Sequence, residues 1–61
     1  MFNVVYKVFG MDVFFHVKDT FLNYNDVCVF CVKLYYENEK VEFIRAYTKT
    51  NPAKGVLLLT R

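Results

Sequence analysis

The stretch VCVFCVKLYY, residues 27–36, is the most hydrophobic part of the chain, and its conformation decides the fold. It contains the longest uninterrupted apolar run, Val27–Val32, and its valines, phenylalanine, tyrosines and cysteines are all poor helix formers. In an extended chain Lys33 marks the wetter side. The stretch therefore predicts a central β-strand with one core-facing row, which consists of Cys28, Phe30, Val32, Leu34 and Tyr36.

A helix is the competing interpretation of the same region. Seven apolar residues lie near the helical spacing of three and four: Val27, Phe30, Cys31, Leu34, Tyr35, Val41 and Ile44. Asn38 interrupts this apolar face at its middle, which argues against one continuous helix. We therefore expect the strand, and keep the helix as the alternative.

The rest of the chain also favours strands. Val, Ile, Thr, Tyr and Phe make up 27 of the 61 residues, and they occur in runs separated by short polar breaks. Residues 2–9 and 11–18 alternate as two strands around Gly10, residues 40–48 form a fourth strand and residues 56–60 a fifth. The first two strands share a core face that consists of Val4, Tyr6, Val13, Phe15 and Val17.

Two details of strand pairing follow from this pattern. The hairpin at Gly10 pairs Lys7 with Asp12 if the loop is residues 9–10, or Val8 with Val13 if the loop is residues 10–11. Further along, Tyr36 pairs with Val41. A bulge near residues 43–44 turns the side chains of both Phe43 and Ile44 inward.

The predicted fold is therefore all-β, in a single small domain of residues 1–61. Five short strands form an antiparallel meander, either a bent sheet or an SH3-like barrel. Residues 19–26 are rich in turn formers and leave room for one short helical turn near residues 19–25, while residues 50–55 form a turn with Pro near its start and Gly at its end.

Composition limits the classes of function. The N-terminal residues do not resemble a signal peptide, and no apolar run approaches the roughly 20 residues of a membrane-spanning helix. With two cysteines and no export signal, the sequence predicts an intracellular, reducing environment. The net charge of +2 is unevenly distributed, with −2 over residues 1–39 and +4 over residues 40–61.

The candidate catalytic residues are few. In an extended strand the Cys28 and Cys31 side chains would point to opposite faces, roughly 10 Å apart, which does not suit a disulfide. Zinc needs about four ligands, and this pair with the distant His16 supplies too few, so the alternative is a zinc ion shared across a dimer. His16 is the only histidine, and the chain has no serine. The sequence therefore predicts a protein that is not an enzyme and needs no cofactor or metal.

Aromatic and basic residues interleave along the later strands, and this pattern is the strongest functional signal. The candidate partner-binding residues are Lys33, Tyr35, Arg45, Tyr47, Lys49 and Lys54. Tyr and Arg dominate protein–protein hot spots, and the modest net charge favours a protein partner over nucleic acid.

We therefore expect a non-enzymatic interaction module that occupies a partner's surface, such as a small inhibitor or viral accessory protein. A homodimer would cover the bare face of a small sheet. The alternative is a small β-barrel that binds single-stranded nucleic acid, with bases stacked on rings and cations along the phosphates.

Overall fold

Four strands and one helix make up the chain in a computed structural model that describes residues 1–51 and 55–61, with residues 52–54 entering only as part of a strand. In chain order they are β1 (Phe2–Val8), β2 (Phe14–His16), α1 (Tyr24–Glu37), β3 (Val41–Thr48) and β4 (Asn51–Thr60). All strand pairs are antiparallel, and the sheet order is β2-β1-β3-β4. The helix packs on one face of this sheet.

The helix α1 replaces the predicted central strand of residues 27–36, so that prediction is wrong. Asn23 begins the helix, because its side-chain oxygen accepts a hydrogen bond from the backbone N–H of Asp26 at 2.9 Å. The Asp26 carboxylate in the first turn suits the positive end of the helix dipole.

Tertiary packing outweighs the poor helix propensity of residues 27–36. Val27 and Cys31 are fully buried against the sheet, with Phe30 and Leu34 packed beside them. This spacing of three and four places one apolar row on a single helix face. A strand of the same residues would bury one face and leave an equally apolar face in water, whereas the helix forms the second layer that a lone sheet lacks.

Asn38 marks the end of the helix and not an interruption of it. Its side-chain amide donates to the carbonyl oxygen of Leu34 at 3.2 Å, and its own carbonyl accepts from the N–H of Val41 at 3.1 Å. The apolar series predicted across residues 27–44 is therefore divided, with its first part on α1 and its last part on β3.

The predicted antiparallel sheet is confirmed, but it has four strands and not five, and the α1 layer makes the domain more than all-β. The strands of 7, 3, 8 and 10 residues together outweigh the 14-residue helix. β3 was predicted to pair with a strand of residues 27–36, but it pairs with β1 instead. The helix formed by that segment carries the chain from β2 at the edge of the sheet to β3 on the other side of β1. The sheet is open, with β2 and β4 at its edges, so the barrel form is wrong.

The β1–β2 ladder follows the second of the two registers predicted for the hairpin. Tyr6 pairs with Phe15 and Lys7 with Phe14, where the pairing ends. The tight loop predicted at residues 10–11 is wrong, because the Met11 N–H donates to the Val8 carbonyl oxygen at 3.2 Å in a turn around residues 9–10. Gly10 has a φ of 83°, in the left-handed region that glycine adopts readily. β2 is only three residues long and lies at an edge, and Val13 is exposed, contrary to its predicted core position.

Two further predictions are corrected. No helical turn occurs before Tyr24, so the turn expected near residues 19–25 is absent from a segment the structure describes in full. β4 begins at Asn51 and not at Val56, because the β3–β4 hairpin turns at residues 49–50.

The core lies between α1 and one face of the sheet. Fully buried Ile44 and Ala46 on β3 pair with Tyr6 and Val4 on β1. The residues buried in this cluster are Val4, Val27, Cys31, Val41, Ile44 and Ala46. Val32 and Tyr36, predicted as core residues, lie on the exposed side of α1, because they are on the helix face opposite Val27 and Cys31.

Candidate functional site

The face of the sheet that α1 does not cover carries the main candidate site. Side chains alternate across a strand, so the partners of the core residues point the other way. On β1 and β3 the paired residues Val5 and Arg45 share this face, as do Lys7 and Phe43. We call it the open face.

Six residues of the open face line a shallow concavity of about 470 Å³: Val5, Phe14, His16, Phe43, Arg45 and Tyr47. Val5 is buried at its base, while Phe14 is 56% exposed at the β2 edge. The Phe14 and Phe43 rings meet edge to face with centroids 5.6 Å apart, a favoured geometry for aromatic pairs. The concavity therefore has an apolar base and aromatic side chains along its sides.

Arg45 occupies the middle of the open face. Its guanidinium carbon lies 5.4 Å from the centroid of the Tyr47 ring, within cation–π range. Gly55, paired with Tyr47 on the neighbouring strand, lies beside this side chain, and a Cβ at Gly55 would be in van der Waals contact with Arg45 Nε at 3.4 Å. A second concavity of about 400 Å³ lies beyond Arg45 and is lined by Arg45, Gly55, Val56, Leu57 and Leu58.

The charge of the open face is small. Lys7 donates to the Glu42 carboxylate at 3.1 Å, so this cation is paired within the chain. Among the described residues, Arg45 carries the main positive charge of the open face, and its guanidinium lies over the Tyr47 ring. The open face is therefore aromatic and apolar first and basic second.

The structure separates the six candidate residues predicted from sequence. Arg45 and Tyr47 share the open face as predicted, and Lys49 is exposed in the β3–β4 turn. Lys33 and Tyr35 lie on α1, on the other side of the sheet, because their segment is a helix. Lys54 lies outside the described residues.

Tyr35 has a structural role. Its hydroxyl donates to the carbonyl oxygen of Thr60 at 3.2 Å, and the Arg61 guanidinium carbon lies 4.2 Å from the centroid of its ring. It thus fastens the end of β4 to the helix, and its ring is covered by that contact.

Phe14, His16 and Phe43 are the members of the open face that sequence reasoning missed. Phe43 was expected in the core, beside Ile44. The bulge lies instead where the register shifts between Lys7 and Val8, opposite residues 41–43, so Phe43 keeps its alternate side. The simple alternation of residues 43, 45 and 47 along β3 was the sequence signal that places Phe43 on the same face as Arg45 and Tyr47.

The two cysteines lie one turn apart on α1, and both are free thiols. The prediction that the two cysteine side chains point to opposite faces of a strand is therefore wrong. Cys31 is fully buried, and this desolvation, followed by the nearby Cys28, raises its pKa to about 11. Neither thiol lies in the first helical turn, where the helix dipole lowers thiol pKa values.

Within residues 1–51 and 55–61, no three His, Cys, Asp or Glu side chains are grouped so that they could hold a metal ion. No helix among these residues is long and apolar enough to cross a membrane.

Comparison with known protein families, curated proteins and solved structures finds no match to this chain. Its function must therefore be argued from the geometry of the open face and the helix.

Proposed function

We propose that this chain is a non-enzymatic protein-binding module whose contact surface is the open face. The observation that supports this proposal is the concavity between Phe14, Phe43, Arg45 and Tyr47, with Val5 at its base. Protein interfaces are enriched in aromatic residues and arginine, and their strongest contacts cluster in such desolvated hollows.

The same geometry favours a protein partner over single-stranded nucleic acid. Bases stack on ring faces that are free to receive them. Here Arg45 lies over the Tyr47 ring, and the Phe14 and Phe43 rings are engaged edge to face. Lys7 is already paired with Glu42, which leaves few cations for phosphates among the described residues of this face.

The proposed mode of action is occupation of a partner's surface, as expected of a small inhibitor or accessory protein of the kind that viral genomes encode. An inserted side chain of the partner would fill the concavity between Phe14 and Tyr47, while Arg45 supplies a planar donor at its rim. No covalent chemistry is required for this activity.

Capture of a host protein by the immobilised chain, followed by mass spectrometry and a binding titration with the purified partner, tests the proposal. Tyr47→Ala and Phe43→Ala should each weaken binding by at least about 30-fold, since a hot-spot side chain contributes about 2 kcal/mol or more. Leu22→Ala is the control, because this side chain is 79% exposed in the segment between β2 and α1 and does not line the concavity. Equal loss in all three variants would contradict the assignment.

Single-stranded nucleic acid is the second candidate, because a sheet backed by a helix with rings and Arg45 on its free face can also bind bases. Fluorescence anisotropy with a labelled oligonucleotide separates the two. A nucleic-acid site would bind with a slope of log K against log salt of about −0.7 per neutralised phosphate, made shallower by Arg45→Ala and Lys49→Ala. Tight oligonucleotide binding near physiological salt would overturn the protein-binding proposal.

A further inference from the structure

The helix α1 is apolar on its exposed side as well as on its buried side. Val29 is 60% exposed, Val32 is 43% exposed, and Tyr36 follows one turn later on the same side. With Asn25 these residues form a row at spacings of four, three and four, which we call the outer stripe. A surface helix normally presents charged residues there, so the outer stripe is an uncovered contact surface.

The outer stripe has the pattern of a helix–helix seam. Spacings of three and four repeat every seven residues, as in a short coiled coil. A shallow apolar depression of about 360 Å³ lies along it, lined by Cys28, Val29, Val32 and Lys33. Such a depression between side chains receives a side chain from a facing helix.

We propose that two copies of this chain associate through their outer stripes, with the α1 helices antiparallel about a two-fold axis. In this arrangement Val29 faces Val32 of the partner subunit, and Asn25 faces Tyr36 of the partner subunit. Each contact occurs twice by symmetry. The antiparallel direction also places the positive end of each helix dipole beside the negative end of the other.

Charge complementarity selects the second copy as the occupant. Asp26 and Lys33 lie seven residues apart along one flank of the outer stripe, and both are exposed. The antiparallel two-fold axis brings Asp26 against the partner's Lys33, and Lys33 against the partner's Asp26. Among the described residues, Lys33 forms no ion pair within its own chain, which leaves its charge available for this contact.

The dimer has a consequence for function. Because α1 covers one face of the sheet and the open face is on the other, pairing through α1 leaves both open faces directed outward. The dimer is then bivalent for the partner protein. This bivalency depends on the proposed function, whereas the dimer itself does not.

Sedimentation of the full chain at micromolar concentration tests the dimer directly. A 14-residue helix is about 21 Å long, so the contact is at the small end of specific interfaces and a micromolar Kd is expected. The expected mass is twice the 7.3 kDa of the chain. A monomer over the whole accessible concentration range would overturn the proposal.

Two glutamate variants locate the interface. Val32→Glu should raise the dimer Kd at least about 10-fold, because it buries an unpaired carboxylate. Leu58→Glu is the matched control, since Leu58 is 62% exposed on the open face, and its dimer should persist. If Val32→Glu fails to fold, Tyr36→Lys replaces it. Dissociation by Leu58→Glu alone, or a dimer that survives both changes through pairing of β4 edges, would overturn the proposal.

Charge reversal tests the antiparallel register. Lys33→Glu and Asp26→Lys should each raise the dimer Kd about 3- to 10-fold, because each places like charges together twice. The double variant restores opposite charges and should recover most of the loss. Lys40→Glu, the same charge change in the turn after α1, should leave the dimer Kd unchanged. A double variant no tighter than the weaker single variant would contradict the register.

Discussion

The guanidinium carbon of Arg61 lies 4.2 Å from the centroid of the Tyr35 ring, which joins the end of the last strand to the last turn of the helix. The same guanidinium donates to the carbonyl oxygens of Tyr35, Asn38 and Val41, the last at 2.6 Å. The last turn of α1 contains no basic residue. Arg61 therefore supplies, from a distant part of the chain, the positive charge that favours the carbonyl end of a helix.

Removal of this side chain should destabilise the fold. Arg61→Ala loses the hydrogen bonds to the carbonyl groups and the ring contact, and we expect a loss of about 1–2 kcal/mol in the free energy of unfolding. For a domain of this size, this corresponds to a fall in Tm of roughly 4–16 °C, measured by circular dichroism.

Two variants serve as controls for the Arg61 prediction. Arg61→Lys keeps the charge but loses the planar fork, so it should recover only part of the stability. Lys49→Ala removes an exposed cation in the β3–β4 turn and should leave Tm unchanged. An Arg61→Ala protein as stable as the parent would show that the contact contributes nothing in solution.

The N-terminal end of α1 should depend on Asn23. Asn23→Ala removes the side-chain acceptor of the Asp26 N–H, and urea unfolding should show a loss of about 1 kcal/mol. Asn23→Ser keeps an acceptor oxygen and should recover most of this loss. Glu37→Ala, in the last turn of the helix, should cost nothing, because alanine is the better helix former and a carboxylate is unfavourable at the carbonyl end of a helix. An equal loss in Asn23→Ala and Glu37→Ala would contradict the cap.

The two thiols should differ in reactivity. At pH 8 a thiol-specific reagent should modify Cys28 in the native protein but leave Cys31 unmodified, because Cys31 is buried and its pKa of about 11 leaves about one thiolate in a thousand. Peptide mass spectrometry before and after unfolding in urea measures this. Equal labelling of both cysteines in the native state would be inconsistent with the packing of α1.

The raised pKa of Cys31 also predicts that the free energy of unfolding falls at alkaline pH. Its pKa is raised from the ordinary 9.0 to about 11 in the folded protein, so folding favours the protonated thiol. Its contribution is complete below pH 9 and is lost as the pH rises from about 9 to 11. Cys31→Ala should be less stable at pH 7 but should lose less stability over that interval, as urea unfolding at several pH values will show.

Part of this structure could be predicted from sequence because its signal is local. The alternation around Gly10 and that of Arg45 and Tyr47 reflect the two-residue period of a strand, which requires no knowledge of distant contacts. The antiparallel sheet and the common face of Arg45 and Tyr47 follow from that period, whereas both hairpin registers satisfy it and only the structure selects between them.

The central segment could not be assigned in the same way. Residues 27–36 are apolar at nearly every position, so they satisfy the period of a strand and that of a helix at once. Their propensity favours the strand by about 2–4 kcal/mol over the ten residues, which is less than the free energy gained by packing Val27, Phe30, Cys31 and Leu34 against the sheet at about 1.5–3 kcal/mol for each large side chain. Burial of Val27 and Cys31 against the sheet therefore decides the conformation.

The amino-acid sequence by itself determined that this chain forms a β-rich domain with aromatic and basic residues alternating on its strands, because those properties depend on neighbours a few residues apart. Only the tertiary structure decided that α1 covers one face of the sheet, that Lys33 and Tyr35 are separated from Arg45 and Tyr47, and that Phe14 and Phe43 complete the open face. These features depend on which residues meet across the chain, and a segment compatible with two conformations acquires one of them only when it packs against the rest.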